Sequence, residues 1–271
     1  MSTKIISVCN QKGGVMKTTL VVSLAMALSL QHKKVLVIDF DPQGNCSLAF
    51  GIIARDGEPT TKGWLLKQIS FKEAVRKDVR KGIDLLPSNI ELDEVTAHLQ
   101  QKTINPAETL LKVLAKTEET SNYDYIIIDS NPHLDLLTQN VLCASDEVII
   151  PMQPEAFSFQ GMRTLLDTVE AIQEDVNPDL VVNGIVFTKV DSRRGSVETQ
   201  RKYVNDKIIS RYKVYFYKNM LNQLTDYAES PNFAQTIYEY KPNGNAVKNF
   251  NEFVKEFIKR EKQIDKERED K

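Results

Sequence analysis

The segment from Lys4 to Thr19, Lys-Ile-Ile-Ser-Val-Cys-Asn-Gln-Lys-Gly-Gly-Val-Met-Lys-Thr-Thr, constrains the fold more than any other part of the chain. Ile5, Ile6 and Val8 predict a buried strand, Gln11 to Met16 a tight loop, and the apolar spacing from Lys17 to Leu30 a helix. A strand that feeds a glycine-bearing loop into a helix N-terminus aims backbone N–H groups and the helix dipole at one point, where a polyphosphate fits. Gly13, Gly14, Val15, Met16, Lys17, Thr18 and Thr19 are expected to wrap it. Lys17 would reach the β- and γ-phosphates, and the Thr18 hydroxyl is placed for Mg²⁺. Lys12 is not needed for that design. A second lysine there is expected to point out of its own subunit, toward phosphates held by a partner. Met16 stands where glycine is usual, because the backbone must approach the phosphates and adopt φ > 0. A flexible methionine is expected to turn outward and leave binding intact.

Short apolar runs alternate with helical segments along the rest of the chain. The runs are Val35 to Ile38, Ile83 to Leu86, Tyr125 to Ile128, Glu147 to Ile150, Val181 to Phe187 and, last, Val214 to Tyr217. Unbroken apolar strands suit a parallel sheet covered on both faces, and helices between them imply right-handed crossovers. The expected fold is therefore α/β, a doubly wound, mostly parallel sheet flanked by helices, of the P-loop NTPase type, with ligands at the carboxyl ends of the strands. Arg55 to Thr61 and Lys116 to Asn122 read as surface loops. Residues 1–258 are expected to form one phosphate-binding domain, ending in a helix with Val247, Phe250, Val254, Phe257 and Ile258 at helical spacing. Residues 259–271 form a tail with dense mixed charge and are expected to be a frayed, solvated helix end.

A chain of 271 residues buries a sizeable core, and its net charge of −2 draws it to no polyanion as a whole; any nucleic-acid contact needs a local basic patch. Cys9, Cys46 and Cys143 lie far apart, which argues for packing in a reducing compartment and against a metal or iron–sulfur site. No signal peptide and no run of about 20 apolar residues is present, so a cytoplasmic location is expected.

Two further segments carry chemistry. Asp39-Phe-Asp41-Pro-Gln-Gly-Asn45 follows the second strand, and carboxylates at i and i+2 face the same way, where they would manage Mg²⁺ and an attacking water. Tyr125-Ile-Ile-Ile-Asp129 is an apolar strand ending in a carboxylate, the usual second metal element. With the loop, and with Leu85-Leu-Pro-Ser-Asn89, Met152-Gln-Pro-Glu-Ala-Phe157, Gly184-Ile-Val-Phe-Thr188-Lys-Val-Asp191 and Glu229-Ser-Pro-Asn-Phe233, these segments resemble the ParA/Soj/MinD group of deviant Walker ATPases, most closely its ParA-type partition members.

The resemblance covers the chain to about Phe257 and implies an ATP- and Mg-dependent, slow ATPase that forms an ATP-sandwich homodimer. It makes Lys12 the lysine that contacts the partner's nucleotide, Asp41 the residue that positions the water, and Asp39 and Asp129 metal residues with Thr18. It puts the adenine contact at Asn222, where Leu221-Asn-Gln223 replaces a common Ile-Pro-Arg. Ser130-Asn-Pro132 replaces a common Thr-Pro-Pro. The resemblance also implies non-specific DNA binding on a nucleoid and a ParB-type centromere-binding partner. Arg193, matching a family basic residue, with Arg194, Arg201, Lys202, Lys248, Lys255 and Lys259, are the candidate DNA contacts; Asp226 stands where relatives have another base. The loop begins so near the N-terminus that no added helix-turn-helix domain is expected. The alternative, a MinD-like membrane-surface ATPase, needs the apolar face of the last helix free for lipid. A reductase like the nitrogenase iron protein needs paired cysteines that this chain lacks.

Overall fold

A computed structural model describes residues 3–155, 158–191 and 196–270. They form one seven-stranded sheet: β1 (Lys4–Val8), β2 (Val35–Phe40), β3 (Arg76–Arg80), β4 (Ile83–Leu86), β5 (Tyr125–Ser130), β6 (Glu147–Met152) and β7 (Val181–Phe187). Their spatial order is β3-β4-β2-β5-β1-β6-β7. All neighbours run parallel except β3, which lies antiparallel to β4 with a shifted register. The doubly wound α/β expectation therefore holds, and its reason is visible in β2 and β6, where every residue is buried. Such strands need cover on both faces.

Two apolar clusters supply that cover. On one face α1 (Lys17–Ser29) and the C-terminal helix Asn245–Glu269 pack together against the sheet, joining Leu20, Leu24 and Leu28 to Phe250, Phe253 and Phe257. On the other, Leu137 and Val141 of the helix Leu136–Ala144 and Leu165 and Val169 of the helix Ser158–Asp175 meet Ile126, Ile128, Val148 and Ile150. All three cysteines are buried, as small-hydrophobe packing predicts.

The structure departs from the sequence reading in three places. Arg76–Arg80 is a strand, although charge at most of its positions hides it. Val214 to Tyr217 forms no full strand: it joins β7 only where the Ile185 N–H donates to the Tyr215 carbonyl (2.9 Å) and the Tyr217 N–H to that of Ile185 (2.9 Å), after a left-handed Lys213. The frayed, solvated character expected of the helix end is also corrected. The last helix runs on to Glu269, because Glu261 and Ile264 continue its buried stripe and Arg268 Nη2 donates to the Asp146 (2.9 Å) and Asp179 (3.0 Å) carbonyls.

Candidate nucleotide site

Strands β1, β2, β5 and β7 end on one side of the sheet, and their loops enclose a cavity of about 1170 Å³. Gly13, Gly14, Met16, Lys17, Thr18 and Thr19 line it from the loop, Asp41 from the end of β2, and Lys189, Asp191 and Asn222 from the far wall. The sequence reading thus found the loop side and missed most of the opposite wall, including Lys189, Gln43, Asn45, Tyr227 and Asn232. Of these, Lys189 lay in the segment Thr188-Lys-Val-Asp191, Gln43 and Asn45 in Asp39-Phe-Asp41-Pro-Gln-Gly-Asn45 and Asn232 in Glu229-Ser-Pro-Asn-Phe233, each singled out for other residues, and Tyr227 lay in none.

The loop is built by backbone conformation. Gly14 (φ 74°) and Met16 (φ 69°, ψ 27°) are both left-handed, and Met16 is the residue immediately before α1. That explains why glycine is usual at position 16, and it means Met16 carries backbone strain on the order of 1 kcal/mol. Its side chain does not turn outward as expected. It is buried in the apolar cluster beneath the loop, where burial offsets the strain. Lys17 is buried too. Its Nζ donates to the Asn10 carbonyl (3.1 Å) and more weakly to that of Lys12 (3.4 Å), so Asn10 is a positioning residue the sequence did not announce. Asn10 is itself fixed by its Nδ2 donating to the Pro151 carbonyl (2.6 Å).

The three aspartates do different things. Asp129, fully buried, accepts from the Thr18 hydroxyl through Oδ2 (2.7 Å), while its Oδ1 has no hydrogen-bond partner. A spare carboxylate oxygen beside a hydroxyl is the donor set that suits Mg²⁺, which takes one or two protein ligands and completes its shell with phosphate oxygens and water. Asp41 lines the cavity, and its Oδ1 accepts from the Gln43 N–H (3.0 Å) in a local turn. Asp39 does not face the cavity. Its Oδ2 accepts from the Ser47 N–H (2.8 Å) and hydroxyl (2.7 Å), its Oδ1 from the Asp41 N–H (3.2 Å), and the Ser47 hydroxyl accepts from the Ser88 N–H (3.0 Å). The expected metal role of Asp39 is therefore corrected: it is committed to holding the short helix Asn45–Ala49 against the loop after β4. The i, i+2 spacing brought the two carboxylates to one loop but not to one target.

Burial of this charge shifts its titration. Burial pushes Asp129 well above the usual carboxylate range, with Asp39 adding to the shift, and pushes Asp39 up to about 6. It also raises Asp41, and it lowers the Lys17 ammonium against the pull of Asp129. Lys17 and Asp129 are thus poorly matched by their own surroundings, and a Mg²⁺-polyphosphate would supply an anion for Lys17 and a cation for Asp129.

Lys12 does not line its own cavity. Its ammonium pairs with the exposed Glu155, and its N–H donates to Asn10 Oδ1 (2.9 Å). Ser130-Asn-Pro132 is held firmly: Asn131 Nδ2 donates to Asp135 Oδ2 (2.9 Å), and Asn131 Oδ1 accepts from the Thr138 hydroxyl (2.7 Å). The candidate DNA contacts fall into three sets. Arg193 and Arg194 lie outside the described residues. Arg201 and Lys202 line, with Lys218, a second groove of about 660 Å³, and Arg201 stacks over the Phe216 ring (5.7 Å). Lys248, Lys255 and Lys259 are exposed along the last helix, with Lys255 paired to Glu252 (2.6 Å).

The comparisons with known proteins agree with this geometry. A family model described as an AAA domain matches residues 3–182. The sporulation initiation inhibitor protein Soj of Bacillus subtilis is 34% identical over 257 residues, 93% of this chain and 97% of Soj. The chromosome partitioning protein ParA of Caulobacter vibrioides is 31% identical over 264 residues, 96% of this chain and 95% of that protein. Among solved structures, a cobyrinic acid a,c-diamide synthase from Mycobacterium smegmatis with bound ADP and magnesium superposes with a TM-score of 0.74 at 33% identity, covering 86% of this chain and 92% of that one.

Proposed function

The chain belongs to the ParA/Soj family of partition ATPases, and from that premise we propose that it is a DNA-partition switch whose ATP-bound state is a dimer. It is an ATPase that uses ATP and Mg²⁺. In this reading the loop N–H groups and Lys17 hold the phosphates in cis. Thr18 and Asp129 would hold Mg²⁺, which would supply charge neutralisation to the phosphates. Asp41 orients the attacking water from the cavity wall. Asn222 sits at the base end.

The observation that carries the dimer is the position of Lys12. It stands outside its own cavity, and among the described residues its ammonium pairs with one exposed carboxylate. An exposed ion pair is worth about 0.2–1 kcal/mol, so a partner's triphosphate displaces it readily. Two triphosphates brought face to face need the added positive charge. The dimer then binds DNA through phosphate contacts, without reading sequence, and a ParB-type partner stimulates slow hydrolysis and release. Arg201, Lys202, Lys248 and Lys259 are the exposed or groove-lining cations available for this, with Arg193 and Arg194 proposed on sequence alone. The membrane-surface alternative is disfavoured because Phe250, Phe253 and Phe257 are buried against the sheet. No described helix is long and apolar enough to cross a membrane.

The test is duplex-DNA binding with ADP, ATP and a slowly hydrolysed analogue across a salt series. The expected result is binding only with the triphosphates, with a log–log salt slope of about −0.9 per phosphate contact. Binding that ignores the nucleotide, or liposome binding in its place, overturns the reading.

A further inference from the structure

Lys189 is the unexplained residue of the cavity. It follows β7 directly and is left-handed (φ 50°), a conformation uncommon for a lysine and worth a functional question. Both neighbours are fixed. Thr188 is buried, its hydroxyl donating to the Val15 carbonyl (3.0 Å) and its N–H to that of Met152 (2.8 Å). The Val190 N–H donates to the Leu221 carbonyl (3.1 Å), and its own carbonyl accepts from the Gln223 N–H (2.9 Å). The strained turn is therefore imposed from both sides and aims one side chain.

That side chain enters the cavity wall beside the loop. A Cβ built on Gly14 would lie 3.9 Å from Lys189 Nζ. The residue is exposed, and no carboxylate among the described residues pairs with its ammonium. Lys17, the other lysine lining the cavity, has its protons on the Asn10 and Lys12 carbonyls. Lys189 thus brings to the cavity a cation that no carboxylate among the described residues neutralises.

We propose that Lys189 is a further nucleotide-binding residue, delivered in cis from the end of β7. Its ammonium pairs with the anionic part of the bound nucleotide nearest Gly14, and its stem forms the wall leading to the base end. The proposal rests on the reading that this cavity holds ATP. Because the contact is made within one subunit to a bound nucleotide, it serves ADP and ATP alike. It sets nucleotide retention and KM, while the rate at saturation depends on the loop and Asp41.

The test compares Lys189→Gly, Lys189→Met and Lys189→Arg with the parent chain by calorimetry with Mg·ADP and Mg·ATP, and by thermal unfolding without nucleotide. Glycine accepts φ > 0 freely, so Lys189→Gly should unfold at a higher temperature and yet bind both nucleotides about three- to tenfold more weakly. Lys189→Met, which keeps the stem and loses the charge, should weaken both to a similar degree, and Lys189→Arg should restore binding. KM should rise with kcat unchanged. Opposite signs in stability and affinity are not produced by a merely structural lysine. Unchanged affinities in Lys189→Gly and Lys189→Met, with the parent chain binding normally, would overturn the proposal alone. A parent chain that binds neither nucleotide would overturn the reading beneath it.

Discussion

The two ends of the sheet each gather carboxylates around one lysine, with opposite outcomes. At the carboxyl end Lys17 lies within electrostatic reach of Asp41 and Asp129, but its protons go to backbone carbonyls and Asp129 Oδ1 has no hydrogen-bond partner among the described residues. At the amino end Lys4 Nζ reaches Glu147 (3.3 Å), Glu261 (3.2 Å) and Asp265 (2.7 Å) beneath the last helix. The neighbours there are completed by one another: Tyr125 donates to Glu261 Oε2 (2.8 Å) and Asn183 Nδ2 to Glu147 Oε2 (2.6 Å). Glu147 Oε1 and Glu261 Oε1 lack a well-directed hydrogen bond but stay within ion-pair reach of Lys4. Burial works against both lysines. At Lys4 its carboxylates overcome it and raise the pKa, whereas at Lys17 it prevails and lowers it. Similar groups thus make a clamp where the charge is matched internally and a binding site where the match is left to a ligand.

The largest effect that would break this contrast is at Lys17. Lys17→Met should cut ATP hydrolysis by about 100- to 1000-fold, since it removes a donor aimed at the reacting phosphates. Chemical denaturation should show no loss of stability, because the variant removes a buried charge that the free protein matches poorly. Lys4→Met should do the reverse: about 3 kcal/mol less stable, more so at pH 8 than at pH 5, with ATP affinity unchanged by calorimetry. If both variants lose stability alike, the two ends do not differ as described.

The smallest effect sharpens the contrast by titration. Burial pushes Glu261 up from 4.5 to about 7, with Glu147 adding to it and Lys4 opposing. A folded-state pKa above the unfolded value contributes stability that is full below about 4.5 and lost as pH rises through about 7. Asp146 and Asp265, Arg260 and Arg268 complete the charged surroundings. Glu261→Gln should remove that loss, so that at pH 8 it is about 1 kcal/mol more stable than the parent and its pH profile is flatter between 4.5 and 7. A variant that is less stable than the parent at pH 8 would mean that the Lys4–Glu261 attraction outweighs the burial cost.

Much of the fold was legible because its strands are apolar throughout and its loop has fixed spacing. Val181–Phe187 and Ile83–Leu86 were read to the residue. Arg76–Arg80 was not, since an edge strand needs no apolar face and periodicity is silent there. At the site, Lys17, Thr18 and Asp41 line one cavity, and Asp129 accepts from the Thr18 hydroxyl. Asp39 was misread because sequence spacing gives direction but not partner; Ser47, eight residues on, takes the carboxylate. Lys189 was missed because its aim comes from a backbone turn fixed by Val15, Met152 and Leu221, all distant in sequence. The tail was misjudged because its charges include Glu261 and Arg268, whose partners lie on the sheet.

The antiparallel β3 has a consequence for crowding. A parallel sheet that stopped at β4 would offer a straight row of free N–H and C=O groups, a template for ladder growth between chains. β3 caps that row with Arg76, Lys77, Asp78 and Arg80, and its register shift bends the edge. Copies of this chain packed at high local concentration meet mixed charge and a broken ladder there. Fibre-like stacking through this edge of the sheet is discouraged, so crowding does not by itself extend the ladder there.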